Sequence, residues 1–188
     1  MQKPLILVIS MLLMSCITTG PAPDIRYYLF DAEPPVQKEK AARLIIELKD
    51  VKLPDYLSTN QLVMLDSEHI LIKANYHSWA DSLDESIQRA LVNDLNNLSK
   101  DKEFVAGCEN CKKSASLSVT VEHFYPSTGG KLLLSGSFEF MDPQNENQLT
   151  RFQLLNELDS DGYANAVKQM RAQVSDLAES IIAVIDNE

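Results

Sequence analysis

Two stretches of the chain repeat apolar residues every three or four positions, and most of the rest repeats them every two. Trp79, Leu83, Ile87, Leu91, Leu95 and Leu98 lie on one stripe of a predicted amphipathic helix. Asp81 is placed to cap its start, and Asp84 complements the positive helix end. Trp79 reads as a core anchor at the helix entrance. Asn93, Asp94, Asn96 and Asn97 lie off the stripe and are predicted to meet water. Tyr163, Val167, Met170, Val174, Leu177, Ile181 and Ile185 predict a second helix, opening after Asp161-Gly162. Strands are predicted at 26–30, 44–53, 62–65, 69–74, 116–124, 132–141 and 149–158. Asp66-Ser67-Glu68 turns a hairpin between two of them, and Gly136 marks a bulge or a close backbone approach. Residues 100–113 read as a charged, irregular connection. The sum is an α+β fold: a mostly antiparallel sheet of about six strands packed against two amphipathic helices.

The amino terminus follows a different pattern. Lys3 is its one basic residue, and an apolar run from Leu5 to Met14 follows, interrupted by Ser10. That run is of signal-peptide length, short of the roughly 20 apolar residues a membrane span needs. Leu13-Met14-Ser15-Cys16 fits a lipobox, and here the chain resembles bacterial lipoproteins. The resemblance implies cleavage before Cys16, a diacylglyceryl thioether on its sulfur and acylation of the new amino terminus. Ile17, where a retention signal would place Asp, implies the outer membrane of a Gram-negative bacterium, with the body facing the periplasm. A single acyl chain holds a protein marginally and a second membrane signal makes attachment stable, which an acylated Cys16 satisfies alone. The plainer alternative is a cleaved signal peptide with a stray cysteine. The predicted organisation is a leader at 1–15, a flexible lipidated leash at 16–26, and one α+β domain at 27–188.

Composition narrows the classes. At 188 residues the chain holds one domain's worth of core, with 45% hydrophobic and 23% charged residues, ordinary globular values. Formal net charge is −10, and the leader carries only Lys3, so the remainder is more acidic still. An acidic body argues against nucleic acid and against a polybasic grip on membranes, so lipid must supply the attachment. Cys108 and Cys111 form a Cys-x-x-Cys pair. It can close a local disulfide, work as a redox couple or supply half a zinc site. A predicted strand, not a helix, follows it. His69, His77 and His123 stand at no recognisable ligand spacing, which favours the disulfide. Glu122 and His123 are strand neighbours and should point to opposite faces. No nucleophile, phosphate-loop or metalloprotease motif occurs, so no enzyme, no metal site and no cofactor beyond the lipid on Cys16 is predicted.

With these elements placed, several short motifs line up: Tyr27-Tyr28-Leu29, Leu53-Pro54-Asp55-Tyr56-Leu57, Trp79-Ala80, Val119-Thr120-Val121 with Phe124, Leu134-Ser135-Gly136, and Asp161-Gly162-Tyr163. In this order the chain resembles the PqiC family, the ABC-type transport auxiliary lipoproteins. Ser82 stands where the family often has Pro, losing a pre-set φ at the first helical turn. The resemblance implies a non-catalytic outer-membrane subunit of a Pqi-type lipid-transport system that supports envelope integrity. It also implies partners: a homo-oligomeric ring, a PqiB-like tunnel protein carrying MCE domains, and indirectly a PqiA-like membrane protein. Pro54, Tyr56 and Leu57 combine turn geometry with apolar side chains and are the expected partner-contacting residues. Two other readings are a periplasmic thiol oxidoreductase using Cys108 and Cys111, and a purely structural envelope lipoprotein.

Overall fold

The computed structural model describes residues 23–30, 42–107, 115–144 and 146–186. Among the described residues, eight strands and two α-helices follow in the order β1 (Arg26–Tyr28), β2 (Leu44–Lys52), β3 (Gln61–Ser67), β4 (Ile70–Trp79), α1 (Leu83–Leu98), β5 (Lys102–Ala106), β6 (Ala115–Pro126), β7 (Lys131–Met141), β8 (Asn147–Glu157) and α2 (Tyr163–Ile185). The fold is α+β, as the periodicities predict. The strands form two sheets, not one: a small sheet ordered β1-β4-β3 and a large one ordered β5-β2-β6-β7-β8. Both are mixed, because β2 runs parallel to both its neighbours and β1 runs parallel to β4. Periodicity fixes which face of a strand is apolar but not which strand lies beside it, so the parallel pairings escape local reading.

The large sheet is built from alternation. Leu117, Val119, Val121 and Phe124 of β6 and Leu132, Leu134, Phe138 and Phe140 of β7 are buried. Their β8 partners on that face include Phe152 and Leu154. Both helices bring apolar stripes to the same core, among them Ile87, Leu91 and Leu95 of α1 and Val174, Leu177 and Ile181 of α2. One extra residue on β6 shifts the register between Val121 and His123. It resets the alternation, so Phe124 stays buried while Glu122 and His123 both face solvent, contrary to the opposite faces expected of strand neighbours. Gly136 lies across from this bulge. A Cβ there would strike the Thr120 carbonyl oxygen and stand 3.0 Å from Val121 Cα, so the close approach the sequence marks is between two backbones.

Three local expectations change. Trp79 ends β4 and does not open a helix. Its amide donates to the Asn60 carbonyl at 2.6 Å and the next amide, Ala80, to Tyr28 at 2.8 Å. Those sheet bonds hold the chain extended, so α1 starts at Leu83 with Ser82 in the capping position. Asp81 instead accepts from Arg89 at 2.6 Å. Lys102–Ala106, within the stretch expected to be irregular, is an edge strand with one buried residue, Phe104. The Asn96 amide donates to the Phe104 carbonyl at 2.7 Å and its oxygen accepts from the Phe104 N–H at 3.0 Å, the bonds a neighbouring strand would make.

Asn93 and Asp94 are buried, not solvated. The Arg171 guanidinium of α2 forks onto Asp94 with both bonds at 2.7 Å, and the Ser175 hydroxyl donates to the same carboxylate at 2.9 Å. The pair clips α1 to α2 with side chains only 16% and 10% exposed.

Two measurements check this packing. Gly136→Ala should cost about 1–3 kcal/mol in urea unfolding, whereas Gly129→Ala, whose Cβ would meet only the Ser127 hydroxyl at 3.8 Å, should be near neutral. Asp94→Ala should cost about 3 kcal/mol, because it strands a part-buried guanidinium. The double replacement Asp94→Leu/Arg171→Met should recover most of that loss.

Candidate functional site

β1 is the hub of the candidate site. Its three residues pair with the end of β4, Arg26 with His77, Tyr27 with Ser78 and Tyr28 with Trp79. One face of this short strand turns inward. The Tyr28 hydroxyl lies 2.7 Å from His77 Nδ1, and the His77 ring stacks on Tyr163 with centroids 3.8 Å apart. The start of α2 is thereby fastened to the small sheet. Gly162, at φ 105°, admits the chain into α2 at a backbone angle that side chains with a Cβ rarely adopt. Phe30, just beyond β1, is buried edge-on to Trp79 at 5.4 Å and to Phe124 at 6.1 Å.

The other face turns out. Ile25, Tyr27 and Leu29 are 51%, 66% and 57% exposed. Between β1 and α2 runs a cleft of about 430 Å³ walled by Tyr27, Tyr28, Leu29 and Val167, with Lys168 and Arg171 also lining it. A second cleft of about 430 Å³, between α1 and α2, shares Lys168 and Arg171 and contains Asp94.

Burial lowers the His77 pKa below that of an ordinary imidazole, and the Arg26 guanidinium lowers it further. With its proton on Nε2, the neutral ring accepts the Tyr28 hydroxyl at Nδ1; protonation turns Nδ1 into a donor.

A second row, half-buried at Tyr125 and Leu133 and exposed at Leu155, lies on the large sheet. Tyr125, Leu133 and Leu155 are register partners on three successive strands, and Leu155 is 57% exposed. Tyr56 leans against Tyr125 with centroids 6.3 Å apart, and its hydroxyl donates to the Glu122 carbonyl at 3.1 Å. Burial, with Tyr125 alongside, pushes the Tyr56 phenol up to about 12. Pro54 leads into this short turn, Asp55–Leu57, and is half-buried. Leu57 is in the core at 3% exposure, so it is not available as a surface contact. Trp79 is buried. The structure thus sets Tyr56 beside Tyr125, apart from Leu57, and sequence reasoning missed both this row and the His77–Tyr163 stack. The motif Asp161-Gly162-Tyr163 pointed at one half of that stack.

Cys16, Cys108 and Cys111 lie outside the described residues. Among the described residues, no group of three His, Cys, Asp or Glu side chains could hold a metal ion, and no helix is long and apolar enough to cross a membrane.

Residues 27–182 match the family model described as ABC-type transport auxiliary lipoprotein component. The chain belongs to that family. The match begins within β1 and ends within α2, so the auxiliary lipoprotein family covers both sheets and both helices. The chain is 29% identical over 137 residues to intermembrane transport lipoprotein PqiC of Escherichia coli (strain K12), covering 73% of this chain and 72% of that protein. The PqiC of Shigella flexneri matches to the same extent. Among solved structures, the fold resembles that of an uncharacterized protein, with a TM-score of 0.77, 23% identity, and coverage of 87% of this chain and 99% of that one. It also resembles a protein from Xanthomonas campestris, with a TM-score of 0.65, 10% identity, and coverage of 84% and 92%. The auxiliary lipoprotein family serves transport and is not an enzyme family.

The His77 geometry carries a test. The unfolded chain binds the His77 proton more readily than the folded one, so stability is lost as pH falls through the imidazole range. The urea midpoint should drop between about pH 7.5 and pH 5.5. His77→Gln should flatten that slope.

Proposed function

We propose that this chain is an outer-membrane lipoprotein subunit of a Pqi-type intermembrane lipid-transport system. Its lipidated Cys16 holds the domain in the periplasm. There a homo-oligomeric ring receives the end of the tunnel built by a PqiB-like MCE protein, a PqiA-like membrane protein completes the set, and the system supports envelope integrity. The observation that carries this reading is the family match over residues 27–182, joined by the 29% identity to PqiC. The physical features agree with it: a mature body of strongly negative charge, a lipobox, and exposed apolar rows on a rigid scaffold. Tyr56, with its neighbours Tyr125 and Leu155, is the surface assigned to the protein partner, since aromatic residues are enriched in such contacts. Cys108 and Cys111 are assigned to a local disulfide.

Affinity purification of the full-length chain after crosslinking in the envelope should recover an MCE-domain protein. Tyr56→Ala combined with Leu155→Ser should reduce that recovery without lowering the urea midpoint by more than about 1 kcal/mol equivalent. Absence of any MCE protein, together with an intact permeability barrier in a strain lacking the chain, overturns the reading.

A further inference from the structure

β1 has an outer face that its position does not account for. An exposed edge strand in a water-soluble domain is ordinarily blunted with charge on its outward side. Here the outward residues are Ile25, Tyr27 and Leu29, all more than half exposed, while the inward residues Tyr28 and Phe30 are pinned by His77, Trp79 and Phe124. Turning Tyr28 and Phe30 inward therefore fixes the apolar row outward. The register adds Tyr76, 43% exposed, because Tyr27 pairs with Ser78 and Tyr76 stands two residues before it on β4. Aromatic and aliphatic side chains side by side suit the boundary between lipid headgroups and acyl chains.

Three further observations select the occupant. Nine peptide links separate Cys16 from Ile25, a reach of at most about 32 Å even when fully extended. Acyl chains on Cys16 thus keep the row close to a bilayer surface. The local charge also differs from that of the acidic body. Asp24 and Arg26 are the chain neighbours of Ile25 and carry opposite charges, and Lys168, exposed at the edge of the adjoining cleft, forms no ion pair among the described residues. Arg171, deeper in the cleft, is already held by Asp94. One free ammonium beside an apolar row complements an anionic phosphate surface, which the rest of an acidic protein repels.

We infer that the face of β1 formed by Ile25, Tyr27 and Leu29, with Tyr76, is a membrane-contacting surface. It rests on the leaflet that carries the Cys16 acyl chains, and Lys168 faces the lipid phosphates. The anchored domain is then held in a fixed orientation, with β1 toward lipid, instead of swinging on its leash. This inference rests on the lipoprotein reading of Cys16.

The test uses the full-length, processed and acylated chain in phosphatidylethanolamine vesicles containing phosphatidylglycerol, with or without lipids brominated on their acyl chains. Native Trp79 is buried and gives a constant background. In a Tyr27→Trp variant, bromination should cut the added emission by about half or more, as expected of a ring seated at the acyl boundary. Wild type and Leu149→Trp, a control on the exposed strand β8, should change little. Adding Lys168→Glu to Tyr27→Trp should reduce the quenched fraction roughly twofold in anionic vesicles. An unquenched Tyr27→Trp overturns the inference, whether its emission reports open water or a second copy or partner protein covering the row. Equal quenching at Tyr27→Trp and Leu149→Trp overturns it too. No response to Lys168→Glu removes Lys168 from the contact. Intact mass separates the two levels: a bare thiol at Cys16 sinks the tether and everything built on it, while an acylated chain with unquenched Trp at 27 sinks the orientation alone.

Discussion

The small sheet is locked to the large one by aromatic contacts that meet at Phe30. Its ring stands edge-on to Trp79 at the end of β4 and to Phe124 just past the β6 bulge. Such contacts add about 0.5–1.5 kcal/mol each beyond the area they bury. Their larger effect is geometric. Phe30 fixes the rotation of the segment that carries β1, and strand alternation then decides which of its neighbours face water. The bulge is part of the same arrangement, because without the extra residue on β6 Phe124 would turn to the outer face. Gly136 permits the bulge by letting two backbones approach, so a missing side chain on β7 supports an aromatic contact between the two sheets.

What the sequence made legible is what local periodicity encodes. The long strands β6, β7 and β8 carry alternation over most of their length, broken in β6 by the bulge, and α2 carries an unbroken apolar stripe, so their type and most of their buried faces follow directly. β5 escaped because only Phe104 of its five residues is buried, too few to make a pattern among charged neighbours. Trp79 falls four residues before Leu83 and so mimics a helical stripe, although sheet bonds to Asn60 and Tyr28 hold it extended. Asp94 looked like a solvent residue because its partner, Arg171, lies 77 positions away. Leu57 looked like part of an exposed loop because nothing local reveals that its side chain reaches the core. In each case the missing information is non-local.

The candidate site divides in the same way. The motifs Tyr27-Tyr28-Leu29 and Asp161-Gly162-Tyr163 lie far apart in the chain, and the structure joins them through His77, a residue outside both. Tyr56 and Tyr125 meet across the bulge in a comparable manner. These two motifs therefore mark the place where the small sheet meets the start of α2. For a protein whose family serves transport, position is the useful product of that rigidity: the surfaces beside β1 and along Tyr125, Leu133 and Leu155 keep a fixed relation to each other.

The side chain of Asn96 limits how copies of this domain can join. By bonding both backbone groups of Phe104 it occupies one margin of the large sheet, where an incoming strand would otherwise add. At the opposite margin, β8, the Gln173 amide donates to the Leu154 carbonyl at 3.3 Å. A continuous large sheet running from copy to copy needs two open margins per subunit, and the β5 margin is closed at Phe104. Strand-to-strand joining of the large sheet would therefore stop at a two-fold pair.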